Sequence, residues 1–175
     1  IPAKSLQVFT DMPAKLTKDA TYQEAAKKYM DAVYNNPPFT RMENILLYAF
    51  ADAPLLNLPK LNSPKADRIY EFRSYESPTE KLFRNKVQMF NEGGEVVLFK
   101  RLNFNAVFYA EVIAGGSMPN LIYMTSFENM ADRDLHWKTF VADPEWKKLS
   151  SDPIYQHNVS KSDIILMKAA SYSDY

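Results

Sequence analysis

The stretch that decides the fold is RIYEFRSYESPTEKLFRNKVQMFNEGGEVVLFKR, residues 68–101. Its first nine residues are aromatic-rich and bounded by polar turn residues, the pattern of a β-strand. The rest reads as helix. Ser77, Pro78 and Glu80 form a Ser-x-x-Glu capping box with proline at the first helical position, where a missing N–H costs nothing. Phe83, Val87, Phe90, Gly94 and Val97 then recur at steps of four, three, four and three, so the apolar stripe stays in helical phase across Gly93-Gly94. The spacing predicts one long helix over 77–101, with Gly94 letting its backbone approach the layer beneath.

Working outward, NAVFYAEVIAG (105–115) and PNLIYMTSF (119–127) are aromatic and β-branched, and the turn from Gly115 to Pro119 makes them a hairpin. NMADRDLHWKTFVAD (129–143) opens on Asn129 as N-cap and gathers Met130, Trp137, Phe140 and Val141 on one helical face. A short helical turn follows around PEWKKL, and SKSDIILMKAA (160–170) reads as a last strand. The order from 68 to 170 is therefore β-α-β-β-α-β, the α+β ferredoxin-like motif.

The chain also echoes itself. An offset of 124 places Ser5 on Asn129, Leu6 on Met130, Leu16 on Phe140, Asp19 on Asp143 and Tyr22 on Trp146. ENILLYA (43–49) matches SDIILMK (162–168) at an offset of 119. Residues 1–50 are thus expected to be the α-β half of a first, incomplete copy, and 51–67, with three prolines and no periodicity, the linker to a complete copy at 68–170. A lone strand at 43–49 and the open edges of the 68–170 sheet call for a homodimer or for association with the missing N-terminal part.

Composition narrows the function classes. Lys plus Arg is 21 and Asp plus Glu is 21, so no overall field attracts nucleic acid, and no basic run does so locally. There is no cysteine, which removes thiolate chemistry and cysteine-based metal sites. No apolar run approaches the roughly 20 residues that span a bilayer, so a soluble protein without a transmembrane segment is expected. No leader is visible at Ile1, and the compartment is left open.

The strand Tyr70-Glu71-x-Arg73-x-Tyr75, with Asp143-Pro144-Glu145-Trp146 at the close of the second helix, resembles the NIPSNAP family over about residues 68–170. Residues 1–50 are similar to the end of a preceding repeat, as in bacterial two-repeat members. The resemblance implies a dimeric α+β barrel whose sheets face each other around a cavity. It also implies a bacterial cytoplasm or an exported compartment, and a protein with no established reaction that binds a small molecule or a protein partner. Animal members act as mitochondrial adaptor-like proteins. Other barrels of this kind suggest the alternative, a cofactor-independent monooxygenase- or isomerase-like enzyme.

Strand alternation sorts the sheet residues into two sets. Tyr70, Phe72, Phe108, Ala110, Val112, Ile122 and Met124 are nearly all apolar and are expected under the helices. The opposite set, with Ile69, Glu71, Arg73, Tyr75, Tyr109, Glu111, Tyr123 and Thr125, mixes apolar and ionisable groups as a pocket lining does. Glu71 and Glu111 are then candidate proton acceptors with pKa values raised by an apolar cavity, and Arg73 orients an anionic or carbonyl group. The plainer reading makes these charges cross-strand ion pairs on a half-wet sheet. Arg133 and His136 are weaker candidates: a helix histidine invites haem, but the equivalent position in the first copy is Met12, which points to packing. No cofactor is expected, and His157 lacks the ligand spacing of a metal site. Asn158-Val159-Ser160 fits the glycosylation pattern.

Overall fold

The computed structural model describes residues 2–173. Two compact units divide at residues 43 and 44. The first holds helices α1 (Leu6–Lys18) and α2 (Ala20–Met30), neither of which buries a residue. Asp19 closes α1 and caps α2, its carboxylate accepting from the Tyr22 N–H.

The second unit contains strands β1 (Leu46–Ala49), β2 (Ile69–Glu76), β3 (Phe108–Ala114), β4 (Asn120–Phe127) and β5 (Lys161–Met167). Its helices are α3 (Glu80–Phe90), α4 (Glu95–Arg101), α5 (Met130–Ala142) and α6 (Pro144–Ser151), with a 3-10 turn at Pro153–Tyr155. The sheet order is β1-β3-β4-β2-β5 and every pair is antiparallel. Residues 69–167 alone follow the ferredoxin-like order, and β1 extends the sheet beyond β3. Strand 43–49 therefore does not lack a partner, as its isolation in sequence suggested: Leu47 faces Val112 and Tyr48 faces Glu111.

The single long helix is corrected to two. Gly94 adopts a left-handed φ of 85°, and a Cβ on Gly93 would meet the Met89 carbonyl oxygen at 2.5 Å. Glycine is what permits the break, and the expected stripe does not continue through it: Val97 is exposed, and α4 buries Glu95, Leu98 and Phe99 instead. The cap also shifts. Thr79, not Ser77, accepts from the Leu82 N–H, while the buried Ser77 hydroxyl donates to the Asn158 carbonyl.

A core of aromatic rings fills the space between helices and sheet. Phe83 and Phe90 of α3, Leu98 and Phe99 of α4, and Phe140 of α5 meet Tyr109, Leu121, Tyr123 and Phe127 of the sheet. Phe99 stacks on Phe140 with centroids 4.9 Å apart and meets Tyr123 at 5.6 Å. Such rings bury large areas, and each is worth about 3–5 kcal/mol against alanine.

This core reverses the expected faces. The set with Tyr75, Tyr109 and Tyr123 lies under the helices, whereas Tyr70 and Met124 cluster with Val107, Phe108 and Met167, among which no helix contributes. The segment 51–67 has no strand or helix but is anchored. Asn57 N–H donates to the Val107 carbonyl, the N–H groups of Asn62 and Ser63 donate to the Glu128 carboxylate, and Arg68 donates to the carbonyls of Leu61 and Ser63. Asn158 is buried, with its amide donating to Asn85, so a glycan has no access to it.

Candidate functional site

Glu71 organises the site. It sits on β2 opposite Thr125, directly beneath α5, and is wholly buried. A carboxylate there needs several donors. Arg73, two residues on along the same face of β2, donates from Nε at 2.5 Å. From α5, Arg133 Nε donates at 2.6 Å and Trp137 Nε1 at 2.9 Å. The helical period explains the last two: residues 133 and 137 are one turn apart and point to the same place.

Burial alone would raise the Glu71 carboxyl, but the hydrogen bond from Arg133, the Arg73 charge and the remaining donors outweigh it and hold the group below its ordinary value. The expected rise is thus corrected to a fall. The cavity around Glu71 is not purely apolar, because two guanidinium groups enter it. Burial likewise works against the Arg73 charge, yet Tyr123, Tyr75 and Glu71 around it raise its pKa above the ordinary value.

The Arg73 guanidinium carbon lies over the Trp137 ring, 3.6 Å from its centroid, and its Nη1 donates to the Tyr75 hydroxyl at 3.0 Å. The Tyr75 and Tyr123 hydroxyls are 2.8 Å apart. Burial pushes the Tyr123 phenol well up. Arg133 Nη1 donates to Asp134, a mostly exposed residue. Among the described residues, Nη2 of Arg73 and Nη2 of Arg133 donate to no protein group.

Both arginines line a cleft of about 400 Å³ between sheet and helices. Its other walls are Tyr75, Tyr123, Trp137, Phe140, Val141 and Trp146, with the buried ion pair Lys86–Glu95, 2.9 Å long, at its edge. The size is that of a small-ligand site. Counting Glu71 behind the wall, three cationic side chains face two carboxylates.

The candidates therefore separate. Arg73, Tyr75, Tyr123 and Arg133 line the cleft, and Glu71 holds the two arginines from behind. Tyr109 is core, stacked on Tyr123 and Phe50, with its phenol pushed up chiefly by burial. Glu111 pairs with Arg84 outside the cleft. His136 donates from Nδ1 to the Asp132 carbonyl at 2.8 Å and packs against Phe104 and Phe127, which suits a structural role. Among the described residues no cluster of acidic or histidine side chains suits a metal ion.

Trp137, Trp146 and Lys86 also line the cleft, the two tryptophans packing at the same time against the ring cluster. The signal for Lys86 was a cation inside the apolar stripe of α3, with Glu95 nine residues on to neutralise it.

The comparisons with known proteins concern fold and family. The model of the NIPSNAP family matches residues 70–174. Among solved structures, a NIPSNAP-like domain protein from Burkholderia xenovorans is 20% identical, with TM-score 0.55, covering 62% of this chain and 90% of its own. A NIPSNAP family protein from Agrobacterium tumefaciens is 17% identical, with TM-score 0.54, covering 66% of this chain and 97% of its own. A second from that organism, of unknown function, is 20% identical, with TM-score 0.53, covering 64% and 96%. Such identities speak to fold alone. No curated protein matches the chain. No helix among the described residues is long and apolar enough to cross a membrane. The family model spans more than half of the residues, and the chain belongs to the NIPSNAP family.

Proposed function

We propose that the cleft between the sheet and helices α3 to α6 binds a small, flat, largely apolar molecule that carries one carboxylate-like anionic group. The observation that carries this reading is the pair of arginines that line a cleft walled by aromatic rings, both tied by Nε to one buried carboxylate and each with an Nη2 that bonds no protein group among the described residues. A guanidinium fixed in this way loses little entropy when it takes up an anion, and planar donors match a carboxylate. Trp137, Phe140 and Trp146 supply the apolar wall for the body of the ligand.

Binding is favoured over an oxygenase- or isomerase-like reaction because Glu71, held ionised by its donors, is a poorer proton acceptor than a free carboxylate. The test is thermal unfolding with matched pairs of aromatic carboxylates and their neutral amides. A carboxylate at about 100 times its dissociation constant should add about 2.7 kcal/mol of stability, and its amide far less. Arg133→Gln should erase most of that preference. Equal responses to carboxylate and amide, or no response across the panel, would contradict the reading.

A further inference from the structure

Lys86 and Glu95 are the two charged side chains of the cleft that anion binding leaves unused. Both line it, and both are buried, at 4% and 2% exposure. Lys86 belongs to α3, and Glu95 opens α4 on the far side of the glycine break. The break builds the pair. In one continuous helix, residues nine apart in sequence lie about 13.5 Å apart along the axis and on opposite sides. Here the left-handed Gly94 turns the chain, and the Lys86 ammonium meets Glu95 Oε2 at 2.9 Å.

The pair is unfinished. Lys86 Nζ also donates to the Met89 sulfur at 3.3 Å and stands 4.7 Å from the centre of the Phe90 ring. An ammonium carries three N–H groups, so one is left that reaches no protein oxygen or nitrogen among the described residues. On Glu95, Oε1 accepts from no protein group among the described residues, and it is not fully enclosed. A desolvated carboxylate oxygen without a donor is unfavourable, and a ligand donor relieves it.

Charge narrows what completes the pair. Arg73, Arg133 and Lys86 against Glu71 and Glu95 leave one positive charge in excess, which a single ligand carboxylate neutralises. The second ligand group is then neutral. An ammonium would accept nothing from Lys86, a second carboxylate would confront Glu95, and an ether oxygen would accept from Lys86 but leave Oε1 bare. A hydroxyl does both. Its O–H donates to Oε1 while its oxygen accepts from Lys86. Tyr75 joins the two ends of the site, since its hydroxyl accepts from Arg73 at 3.0 Å and its ring centre lies 5.8 Å from Lys86 Nζ. Both ends are thus within reach of one compact molecule.

We infer that the ligand of the cleft is an aromatic hydroxycarboxylic acid, its carboxylate on Arg73 and Arg133 and its hydroxyl shared between Lys86 and Glu95. The inference rests on the anion-binding reading above and adds the second polar group. Isothermal titration calorimetry on the whole chain tests it with benzoate, the three hydroxybenzoates, the three methoxybenzoates and benzamide. At least one hydroxybenzoate should bind about tenfold or more tightly than benzoate, and the matching methoxybenzoate should lose that gain. Lys86→Met combined with Glu95→Met keeps the net charge of the cleft and replaces a buried ion pair by apolar side chains, a change that folds tolerate. In that variant the same hydroxy and methoxy compounds should bind alike. Equal affinity of benzoate and all three hydroxybenzoates, with benzamide weaker, would overturn the inference and leave the anion site standing. Benzoate bound no better than benzamide would overturn both. A hydroxyl gain that survives in the double variant would also overturn the inference, because the hydroxyl would then be read elsewhere.

Discussion

Helices α1 and α5 are matched in length, and each ends on an Asp that caps the next helix, yet they differ in what they bury. α5 drives Phe140 into the ring cluster and sends Arg133 and Trp137 to Glu71. α1 and α2 bury nothing. The difference teaches that an amphipathic stripe becomes core only when a sheet presents both apolar area and the right polar partners. Helical pattern by itself specifies a face and not its occupant.

The comparison breaks hardest from below, at Glu71. Glu71→Ala leaves two partly buried guanidinium groups without their shared counter-charge, and should cost about 3–5 kcal/mol in urea unfolding, the usual price of orphaning one side of a buried pair. A loss under roughly 1 kcal/mol would mean that Glu71 does not hold α5 to the sheet.

The equivalent positions Phe140 and Leu16 sharpen the comparison directly. Phe140→Ala should destabilise by about 3 kcal/mol or more, because the ring is 2% exposed and packed on Phe99, Trp137 and Trp146. Leu16→Ala should leave the main urea transition within roughly 0.5 kcal/mol, as α1 has no buried residue. Equal losses at the two positions would show that α1 is as firmly seated as α5.

A smaller effect is expected with pH. The Glu71 carboxyl sits below its ordinary value of 4.5 when folded, so the stability it contributes is complete above that value and fades as pH falls through the folded pKa. Between those two values the unfolded chain binds the extra proton. The wild type should therefore lose stability more steeply than Glu71→Gln as pH drops below about 4.5, and parallel curves would contradict the assigned donors.

Much of the fold was legible. Period-two runs marked β2 to β4, and Asn129 announced the helix that follows it. Three points were not legible, each for a physical reason. Alternation divides a strand into two sets but does not say which set meets the helices. The apolar count favoured Tyr70 and Phe72, whereas the helices bring Arg133 and Trp137 to Glu71 and Lys86 to Glu95. The helix break at Gly93-Gly94 hid because Gly94 and Val97 continue the helical spacing in sequence, whereas α4 buries Glu95, Leu98 and Phe99 and leaves Val97 exposed. The pairing of β1 with β3 is long-range and leaves no local mark.

The site was half visible. Glu71, Arg73, Tyr75 and Tyr123 were recognisable as a mixed face; Arg73, Tyr75 and Tyr123 line one cleft with Arg133, and Glu71 lies behind it. Glu111 and Tyr109 shared the alternation without sharing the place, since Glu111 is taken by Arg84 and Tyr109 by the ring cluster.

The most direct measurement follows the Trp137 indole N–H, which donates to Glu71 inside the cleft, by two-dimensional NMR during titration with an aromatic carboxylate and then with its neutral amide. A ligand anchored on Arg73 and Arg133 should shift that one resonance in a saturable way with the carboxylate and at least about tenfold more weakly with the amide. A Trp137 signal that ignores both compounds, while the chain shows binding elsewhere, would contradict the assignment of the cleft.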